Sequence, residues 1–439
     1  MYSIFQGPAL LLLLGILSSG VASAAEYESF EDWIKQTTFH GNLRAYFFER
    51  GYSNDKMLDQ NAFSLGGYGG LVTAPLQGFQ AGLTLGAANS LGLNPENPKQ
   101  VDATLPGGTV YALTEAYMQY SQRYFILRGP DQIMDTPWIM PSDSRMKPAA
   151  YRGVYSEVRP FADVDALRDI TLVGLKVLEF NGRAEGTFNE TNLYIPGHAG
   201  GSGIKQLAGE TAPGANAFAI KYGRKGAPLN IQLWWNQFIN FSQLLWFDAS
   251  YIHKTQTGFD PIIGVQFANQ TGDGDNTIAL AGKGQAGNSQ AYGVITGVDT
   301  QYGRLTAAYN GITHRDDAFA NGDLLSPYST GYSTDPLYTT QMIGGLIERQ
   351  SAGSAFKLAA TSYWLDKQLT AILSHARYYI TPTASYTQEP AETDFDVTYS
   401  FGKDSMANGL SIRNRFGVMT GNITDGHFYY ERMQLQYQF

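Results

Sequence analysis

The sequence contains no cysteine. That absence excludes a disulfide framework, a Cys-x-x-Cys metal site and a cysteine nucleophile. Charged residues are sparse, at 16 % of the 439 residues, and no run after the first 24 residues reaches the roughly 18 apolar residues that a membrane-spanning helix needs. Stability must therefore come from hydrogen-bonded strands, and helical membrane spans are not expected.

Enzyme and metal signatures are also scarce. The six histidines, at positions 40, 198, 253, 314, 375 and 427, form no pair at the i,i+3 or i,i+4 spacing of a metal site. No His-Glu-x-x-His, Gly-x-Ser-x-Gly or Walker motif occurs. The stretch "GDGDN" at 272–276 could hold calcium, but it lacks the full ligand series of a calcium loop. We expect no cofactor and no nucleic-acid partner.

The first 24 residues are predicted to be a secretory signal peptide. Ala9 to Leu17 form an apolar segment too short to span a bilayer, and the small residues Ala22-Ser23-Ala24 follow it. The first eight residues carry no Lys or Arg, which departs from the usual pattern. The alternative is a buried core helix. The segment has no charged residue, so the net charge of −9 is unchanged by cleavage before Ala25.

Glycine and aromatic residues are abundant, with 49 Gly, 28 Tyr and 24 Phe. At the end of the chain, Met433, Leu435, Tyr437 and Phe439 alternate strictly with glutamines. This alternation is the period of a strand with one apolar and one polar face. An exported chain that has no apolar helix can span a membrane only as a closed barrel. Residues 25–439 are therefore predicted to form an all-β transmembrane antiparallel barrel, with a soluble β-barrel or sandwich as the alternative.

Strand-like segments recur along the mature chain. The candidates are 39–49, 62–74, 78–88, 110–120, 122–128, 151–159, 169–180, 216–224, 228–238, 241–253, 261–269, 290–299, 302–310, 341–349, 354–365, 368–380, 392–401, 409–420 and 428–439. Bacterial single-chain barrels have an even number of strands, so we exclude the glycine-interrupted segment 341–349 and predict 18. The long connections, at 89–109, 129–150, 181–215, 270–289 and 311–353, then all fall at the external end.

Basic residues in several strands are in phase with the polar face. An Arg on the lipid face costs about 2–4 kcal/mol near the bilayer midplane, so these side chains are expected to face the lumen. The candidates are Arg44, Arg413 and Arg415, with Arg50 at the rim, Lys357, and Arg377, whose phase is shared by Leu373 and His375. Asn414 falls on the lipid side. A stripe of guanidinium groups would attract carboxylates and pass them along. Alternatively, nearby Asp and Glu residues neutralise these arginines, which then only hold the barrel together.

Residues 129–150 cannot form a strand, because prolines stand at 130, 137, 141 and 148. We predict that this mixed-charge segment folds into the lumen and narrows it, with its carboxylates facing the arginine stripe. The candidate residues are Asp135, Trp138, Ser142, Asp143 and Arg145. An exposed surface loop is the alternative.

The stretch "RGPDQIMDTPWIMPSDSRMKPAAYRG" resembles the constriction loop of OprD-type outer-membrane porins, with Asp135-Thr136-Pro137, Asp143-Ser144-Arg145 and Pro148 in the family's order. "LRAYFFER" resembles the family's first strand, and "NGLSIRNRFG" its penultimate strand. Asp131 stands where the family usually has Arg, and "ETDFDVTYSF" carries none of the basic residues that some members have there.

The resemblance implies an 18-stranded diffusion channel in the bacterial outer membrane, monomeric or weakly trimeric, that is selective for small solutes bearing a carboxylate. Its implied partners are outer-membrane lipid and the barrel assembly machinery, which would read the terminal strand ending in Phe439. Two other functions stay open. Trp138 and the many tyrosines keep a sugar or chitooligosaccharide porin of the same superfamily in view, and an outer-membrane enzyme is a more distant alternative.

Overall fold

The computed structural model describes residues 34–190, 214–224, 226–274, 287–324, 328, 336–349 and 351–439. The predicted signal peptide and the last two residues of the "GDGDN" stretch, 275 and 276, lie outside these residues. Among the described residues, no helix combines the length and apolarity needed to cross a bilayer.

Eighteen strands make up almost all of the regular structure. They are β1 (Thr38–Tyr52), β2 (Gln60–Val72), β3 (Phe79–Asn89), β4 (Val110–Gln122), β5 (Phe125–Gln132), β6 (Ala150–Val158), β7 (Ile170–Asn181), β8 (Ala215–Tyr222), β9 (Leu229–Phe238), β10 (Ser242–Ile252), β11 (Asp260–Gly272), β12 (Asn288–Thr300), β13 (Gly303–Ile312), β14 (Gly353–Trp364), β15 (Leu369–Ile380), β16 (Tyr386–Ser400), β17 (Leu410–Asn422) and β18 (Phe428–Gln438). Short 3-10 turns occupy Pro98–Gln100, Phe319–Gly322 and Ile347–Arg349.

The strands form one closed antiparallel sheet. Each strand pairs with the next, and β1 closes the barrel by pairing with β18 in a register that runs from Asn42↔Gln438 to Tyr52↔Phe428. Closure gives every strand two neighbours and leaves no open sheet edge. The predicted barrel of 18 strands is confirmed, and residues 341–349 are not a strand.

Side chains alternate between the two faces of the sheet. Large apolar side chains are exposed on the outer face of nearly every strand, among them Leu43, Leu358 and Met433. On β18 the alternation follows the sequence pattern, since Leu435 and Tyr437 are exposed while Gln434 and Gln436 hydrogen-bond to each other inside, at 2.7 Å. An apolar outer face with polar inward residues is the pattern of a membrane barrel.

The long connections share one rim of the barrel, and parts of three of them fold into the lumen. Buried residues mark these parts: Asp102 and Leu105 after β3, Ile139 and Arg145 after β5, and Leu346 after β13. Trp138 and Ile139 belong to the larger apolar cluster, whose strand residues run from Tyr151 on β6 to Ile380 on β15. The core therefore lies inside the barrel, and inward-facing residues of β14–β18 line the open space beside it.

Candidate functional site

The connection between β5 and β6, residues 133–149, narrows the lumen; we call it the constriction loop. The prediction that all of 129–150 lies outside the strands is wrong at its ends, because β5 continues through Pro130 to Gln132 and β6 begins at Ala150. Its own hydrogen bonds define its shape: the Thr136 backbone N–H donates to the Ile139 carbonyl at 3.0 Å, and the Ala149 N–H donates to the Pro141 carbonyl at 2.7 Å. The Tyr151 hydroxyl on β6 donates to the Met140 carbonyl at 2.8 Å. The loop is thus held across the lumen by the strand that follows it.

Asp143 at the loop's tip meets the barrel wall at Arg44. Two guanidinium nitrogens of Arg44 donate to the two carboxylate oxygens of Asp143, at 2.5 and 2.8 Å. The Tyr68 hydroxyl also donates to Asp143, at 3.2 Å, and Arg44 Nε donates to Gln436 Oε1 at 3.0 Å. Arg44 is 4 % exposed, whereas the Asp143 side chain is 29 % exposed. The wall cation is therefore buried beneath a carboxylate that still contacts solvent.

The other candidate residues of the constriction loop have different surroundings. Arg145 is fully buried, where it donates to the Thr104 carbonyl at 3.1 Å and stacks over the Phe48 ring at 4.8 Å, so it ties the loop to its neighbours. Ser142 accepts a hydrogen bond from Arg183 at 2.9 Å and lines the open space. Asp135 is exposed.

Trp138 does not stand open to the lumen. It is 3 % exposed and packs edge to face on Trp246 of β10, with ring centroids 5.4 Å apart. A ring that is buried in this way anchors the constriction loop and is not available to stack on a sugar.

Arg413 and Arg415 of β17 share one carboxylate, that of Asp396 on β16. Arg413 donates to both oxygens, at 2.8 and 2.5 Å, and Arg415 Nε donates to Oδ2 at 3.0 Å. The two guanidinium groups are 32 % and 24 % exposed. Two cations held by one anion leave a net positive charge on this part of the wall.

The remaining basic candidates divide between the lumen and other places. Lys357 of β14 faces inward and donates to the Thr340 carbonyl at 2.5 Å. Arg50 is buried at the rim, where it pairs with Asp102 at 2.9 Å. Arg377 lies on the outer face of β15, because its cross-strand partner on β14 is the exposed Phe356. It pairs there with Glu389 and does not join the lumen set.

A second loop segment, residues 336–349, also forms part of the constriction, and the sequence analysis missed its role. The Met342 N–H donates to Asp394 Oδ2 at 2.8 Å, and the Ile343 and Gly344 N–H groups donate to Glu392, at 2.5 and 3.2 Å. Arg349 pairs with the same Glu392 at 3.2 Å, and all of these carboxylates are buried or nearly so. β16 thus carries the acids that fix this segment.

The inward-facing charged residues of β16 and β18 could have been found from the two-residue period of a strand alone. Glu392, Asp394 and Asp396 are spaced by two, so all three face the lumen if one does. Arg432 is likewise in phase with Gln434 and Gln436 on the inward face of β18. It is 6 % exposed and stacks on Tyr430, with its guanidinium carbon 4.1 Å from the ring centroid.

Together the two loop segments and the β14–β18 wall enclose a cavity of about 360 Å³. Its lining is Met140, Ser142, Asp143, Ser144, Thr340, Gln341, Met342, Lys357, Ile372, Ser374, Asp394, Asp396, Arg415 and Arg432. When Arg44 and Arg413 are added as the ion-pair partners of the lining acids, five cations face three carboxylates. The narrow part of the lumen therefore carries an excess of two positive charges.

Two charged loop residues hold the constriction in place. Burial alone would raise the pKa of Asp102, but the Arg50 guanidinium and hydrogen bonds from Tyr430 and Thr104 outweigh it and hold that pKa below its usual range. Burial lowers the pKa of Lys147 to about 7, against the opposing field of Glu185. Lys147 Nζ donates to Asn181 Oδ1 at 2.9 Å and to the Gly182 carbonyl at 2.6 Å. The loops are therefore anchored by buried polar side chains that lie away from the cavity.

No group of three or more His, Cys, Asp or Glu residues in the described ranges could hold a metal ion. The imidazoles of His40, His253, His314 and His375 hydrogen-bond to threonine, tyrosine or aspartate side chains, as His375 does to Thr393 at 2.8 Å.

An 18-stranded barrel with an apolar outer face, a polar lumen and an inward-folded loop has the architecture of an outer-membrane porin. Its fold is that of the OprD-type porins, as the sequence resemblance predicts. The chain is similar to Pseudomonas aeruginosa OccK9 (OpdG), with a TM-score of 0.75, 16 % identity, and 92 % and 99 % of the two chains covered. It is also similar to a BenF-like porin from Pseudomonas fluorescens Pf-5, with a TM-score of 0.73, 12 % identity, and 93 % and 99 % coverage.

A third similar structure is Pseudomonas aeruginosa OccK2 (OpdF) in complex with glucuronate, with a TM-score of 0.70, 11 % identity, and 92 % and 98 % coverage. No family model matches the sequence, and no curated protein matches it. The similarity is therefore one of fold, at sequence identities where function does not follow directly.

Proposed function

We propose that this chain is an outer-membrane channel through which small polar solutes diffuse passively, with a preference for solutes that carry a carboxylate. The observation that carries this proposal is the charge around the cavity beside the constriction loop. Its lining holds three cations and three carboxylates, and Arg44 and Arg413, which pair with two of those carboxylates, raise the number of cations to five. Fixed charge in a narrow, partly desolvated passage selects ions of the opposite sign.

The arginines suit this role by their chemistry. A guanidinium stays charged at any physiological pH and offers a planar fork that matches the two oxygens of a carboxylate. Arg415 and Arg432 line the cavity on neighbouring strands and are direct cross-strand partners. Asp396 shares its charge between Arg413 and Arg415, so a solute carboxylate can take over one of these guanidiniums without leaving a cation bare.

One of the structural neighbours also supports a preference for solutes that carry a carboxylate. The glucuronate of the OccK2 complex is a sugar acid, so that relative holds a solute with a carboxylate. For this chain a carboxylate preference and a sugar preference separate cleanly, because glucuronate and glucuronamide differ only at the acid group. Glucose provides the neutral sugar without either group.

The experiment is single-channel recording of the refolded protein in a planar bilayer, with millimolar glucuronate, glucuronamide or glucose added. We expect glucuronate to interrupt the current more often than glucuronamide at equal concentration. Arg415→Gln removes one charged hydrogen-bond donor from the cavity, which at about 1–2 kcal/mol corresponds to roughly five- to thirtyfold weaker block by glucuronate. Block by glucuronamide should change little.

The control variant is Arg168→Gln, because Arg168 lies in the short turn between β6 and β7 and pairs with Asp165 away from the cavity. The current through this variant should be blocked by the three solutes to the same extent as the current through the unmodified protein. Equal block by all three solutes would reject the carboxylate preference, and block by glucose at the same concentration as glucuronate would favour a sugar channel. A protein that gives no discrete current steps would reject the channel itself.

A further inference from the structure

The external connection between β7 and β8 begins with a small hairpin that has hydrogen bonds of its own. Phe180 and Asn189 exchange both backbone hydrogen bonds, with N–H groups that donate at 2.9 and 3.0 Å. Inside the hairpin, the Glu185 N–H donates to the Gly182 carbonyl at 3.1 Å, and the Gly182 N–H donates to a Glu185 carboxylate oxygen at 3.1 Å. These internal bonds fix the shape of residues 180–189, which we call the clasp.

Arg183 of the clasp reaches the tip of the constriction loop. Its Nη1 donates to the hydroxyl oxygens of Ser142 and Ser144, both at 2.9 Å, and the residue is 4 % exposed. These two serines flank Asp143, the carboxylate that pairs with Arg44 on the barrel wall. Arg183 therefore holds the loop on both sides of that carboxylate.

The turn that carries Asp143 has a strained backbone. Ser142 has a φ of +45°, in the left-handed region that residues other than glycine seldom adopt. The Ser144 N–H donates to the Ser142 carbonyl at 2.7 Å, so Asp143 stands at the centre of a three-residue turn. A sparsely populated backbone conformation persists only where its surroundings determine it, and the two bonds from Arg183 are part of those surroundings.

Lys147, near the other end of the constriction loop, binds the clasp in return. Its Nζ donates to Asn181 Oδ1 at 2.9 Å and to the Gly182 carbonyl at 2.6 Å, and the residue is 3 % exposed. The clasp and the constriction loop are thus joined at two points. One donor comes from each partner, and both donors are cations shielded from solvent.

We propose that Arg183 is a positioning residue of the channel: through the clasp it fixes where Asp143 stands in the constriction, and so how far the charge of Arg44 is exposed to a passing solute. The proposal rests on the proposed channel function. Ser142, Asp143 and Ser144 line the cavity, whereas Arg183 is not among its lining residues. Arg183 therefore acts on the solute through the serines that it holds.

Removing both serine hydroxyls tests this position without changing any charge. In the variant Ser142→Ala with Ser144→Ala, Arg183 loses both acceptors at the tip. The loss of one hydrogen bond to a charged group corresponds to a roughly tenfold change in an equilibrium, so we expect Asp143 to leave Arg44 for part of the time. The permeability of anions relative to cations, measured from the reversal potential, should rise about threefold, less than when the carboxylate is removed altogether.

The matched controls are the two single serine variants, because the remaining hydroxyl still accepts from Arg183. Each should keep the permeability ratio of the unmodified protein. The double serine substitution made together with Asp143→Asn should add nothing to the effect of Asp143→Asn, because the carboxylate that it would displace is gone. A further rise in that combination, or an unchanged ratio in the double serine variant, would overturn the assignment.

The amine of Lys147 supplies a pH profile that a contact without a titrating group would lack. Burial lowers the pKa of Lys147 to about 7, whereas an amine hydrated by an open clasp would keep its usual pKa of about 10.4. The charged groups that face this amine are Glu185 and Arg183 of the clasp, and the adjoining strands β3 and β4 present Gly86 and Val110. Between the two pKa values the closed clasp binds fewer protons than the open one, so rising pH favours closure by up to about tenfold per pH unit.

Hydrogen exchange of the full-length protein in detergent reads this profile without any current. Protection factors at residues 142–144 and 182–185 should be constant below about pH 7 and rise above it. Lys147→Met keeps the length of the side chain but cannot titrate, so it should abolish the rise. Protection that falls with rising pH, or a rise that survives Lys147→Met, would overturn the clasp.

The two measurements also separate this proposal from the channel function on which it rests. Block of the current by glucuronate, together with flat protection factors, would overturn the clasp and leave the carboxylate-selective channel standing. A protein that gives no current steps would overturn the channel, and with it the positioning role of Arg183, even if the protection factors rise with pH as expected.

Discussion

Asp143→Asn is the substitution that most directly tests whether the constriction's charge governs what passes. In the structure this carboxylate takes both hydrogen bonds of the Arg44 fork, at 2.5 and 2.8 Å, and cancels its charge at the cavity. Asparagine keeps the shape of the side chain and one acceptor oxygen but removes the negative charge. Arg44 keeps two further acceptors, Gln436 Oε1 and the Arg145 carbonyl, so we expect the constriction loop to stay docked.

The size of the effect follows from Coulomb's law. An anion that passes about 6 Å from the Arg44 charge, which Asp143 no longer cancels, gains about 0.7 kcal/mol of interaction energy in a water-like dielectric and about 2.8 kcal/mol at an effective dielectric constant of 20. The Asp143 side chain is 29 % exposed, so the water-like limit is the closer one. A gain of about 0.7 kcal/mol for the anion and an equal loss for the cation together correspond to a roughly tenfold rise in the permeability of anions relative to cations.

The assay is the reversal potential of the channel across a tenfold gradient of potassium chloride. Ser142→Ala is the control, since Ser142 lines the same cavity next to Asp143 and carries no charge. It should leave the permeability ratio unchanged. An unchanged ratio in Asp143→Asn, or a shift toward cations, would refute the view that the excess of fixed positive charge controls permeation.

Two other perturbations test how the loops are held. Glu392→Ala should undock residues 336–349, because Arg349 and the backbone N–H groups of Ile343 and Gly344 all lose their acceptor. Breaking a buried pair costs about 3–5 kcal/mol, so we expect larger and noisier single-channel currents, and steps as quiet as those of the unmodified protein would contradict this. The pKa of Asp102 is held below its usual range, so its contribution is present above about pH 4 and is lost as the pH falls through the lower, folded-state value. The protection factors for hydrogen exchange at residues 102–105, in which the intrinsic pH dependence of exchange is divided out, should therefore stay constant down to about pH 4 and fall below it, whereas Asp102→Asn should remove that fall.

The barrel could be predicted from the sequence because each strand needs only local information. Alternation at period two identifies the inward face, and this placed Arg44, Lys357, Arg413 and Arg415 in the lumen or its wall, as the structure has them. Arg377 shows the limit of this reasoning: it shares its phase with the outward Leu373, and the apolar residue and the cation cannot both be on their preferred face. The strand resolves the conflict in favour of the apolar side chains, which are more numerous.

The loops could not be predicted to the same depth, because their partners are distant in sequence. The sequence predicts that residues 129–150 are not a strand, which holds for 133–149 alone, and it does not distinguish Arg145, which is buried against Thr104, from Asp143, which reaches the cavity. Residues 336–349 dock largely through backbone N–H groups. Because every sequence has these groups, they give no sequence signal for the docking. The acids of β16 were the available signal, and their spacing of two predicts a lumen position once the strand is accepted.

The division of the lumen explains why these few charges matter. The apolar side chains of the constriction loop, such as Trp138 and Ile139, pack against the far wall and exclude water from that side. The open space is then left along β14–β18, where the polar residues are. Part of the acidic charge there is already committed, since Glu392 and Asp394 accept backbone N–H groups of the second loop segment. A count of inward-facing charges that ignored the loops would underestimate the positive character of the passage, because it would treat structural carboxylates as free to repel an anion.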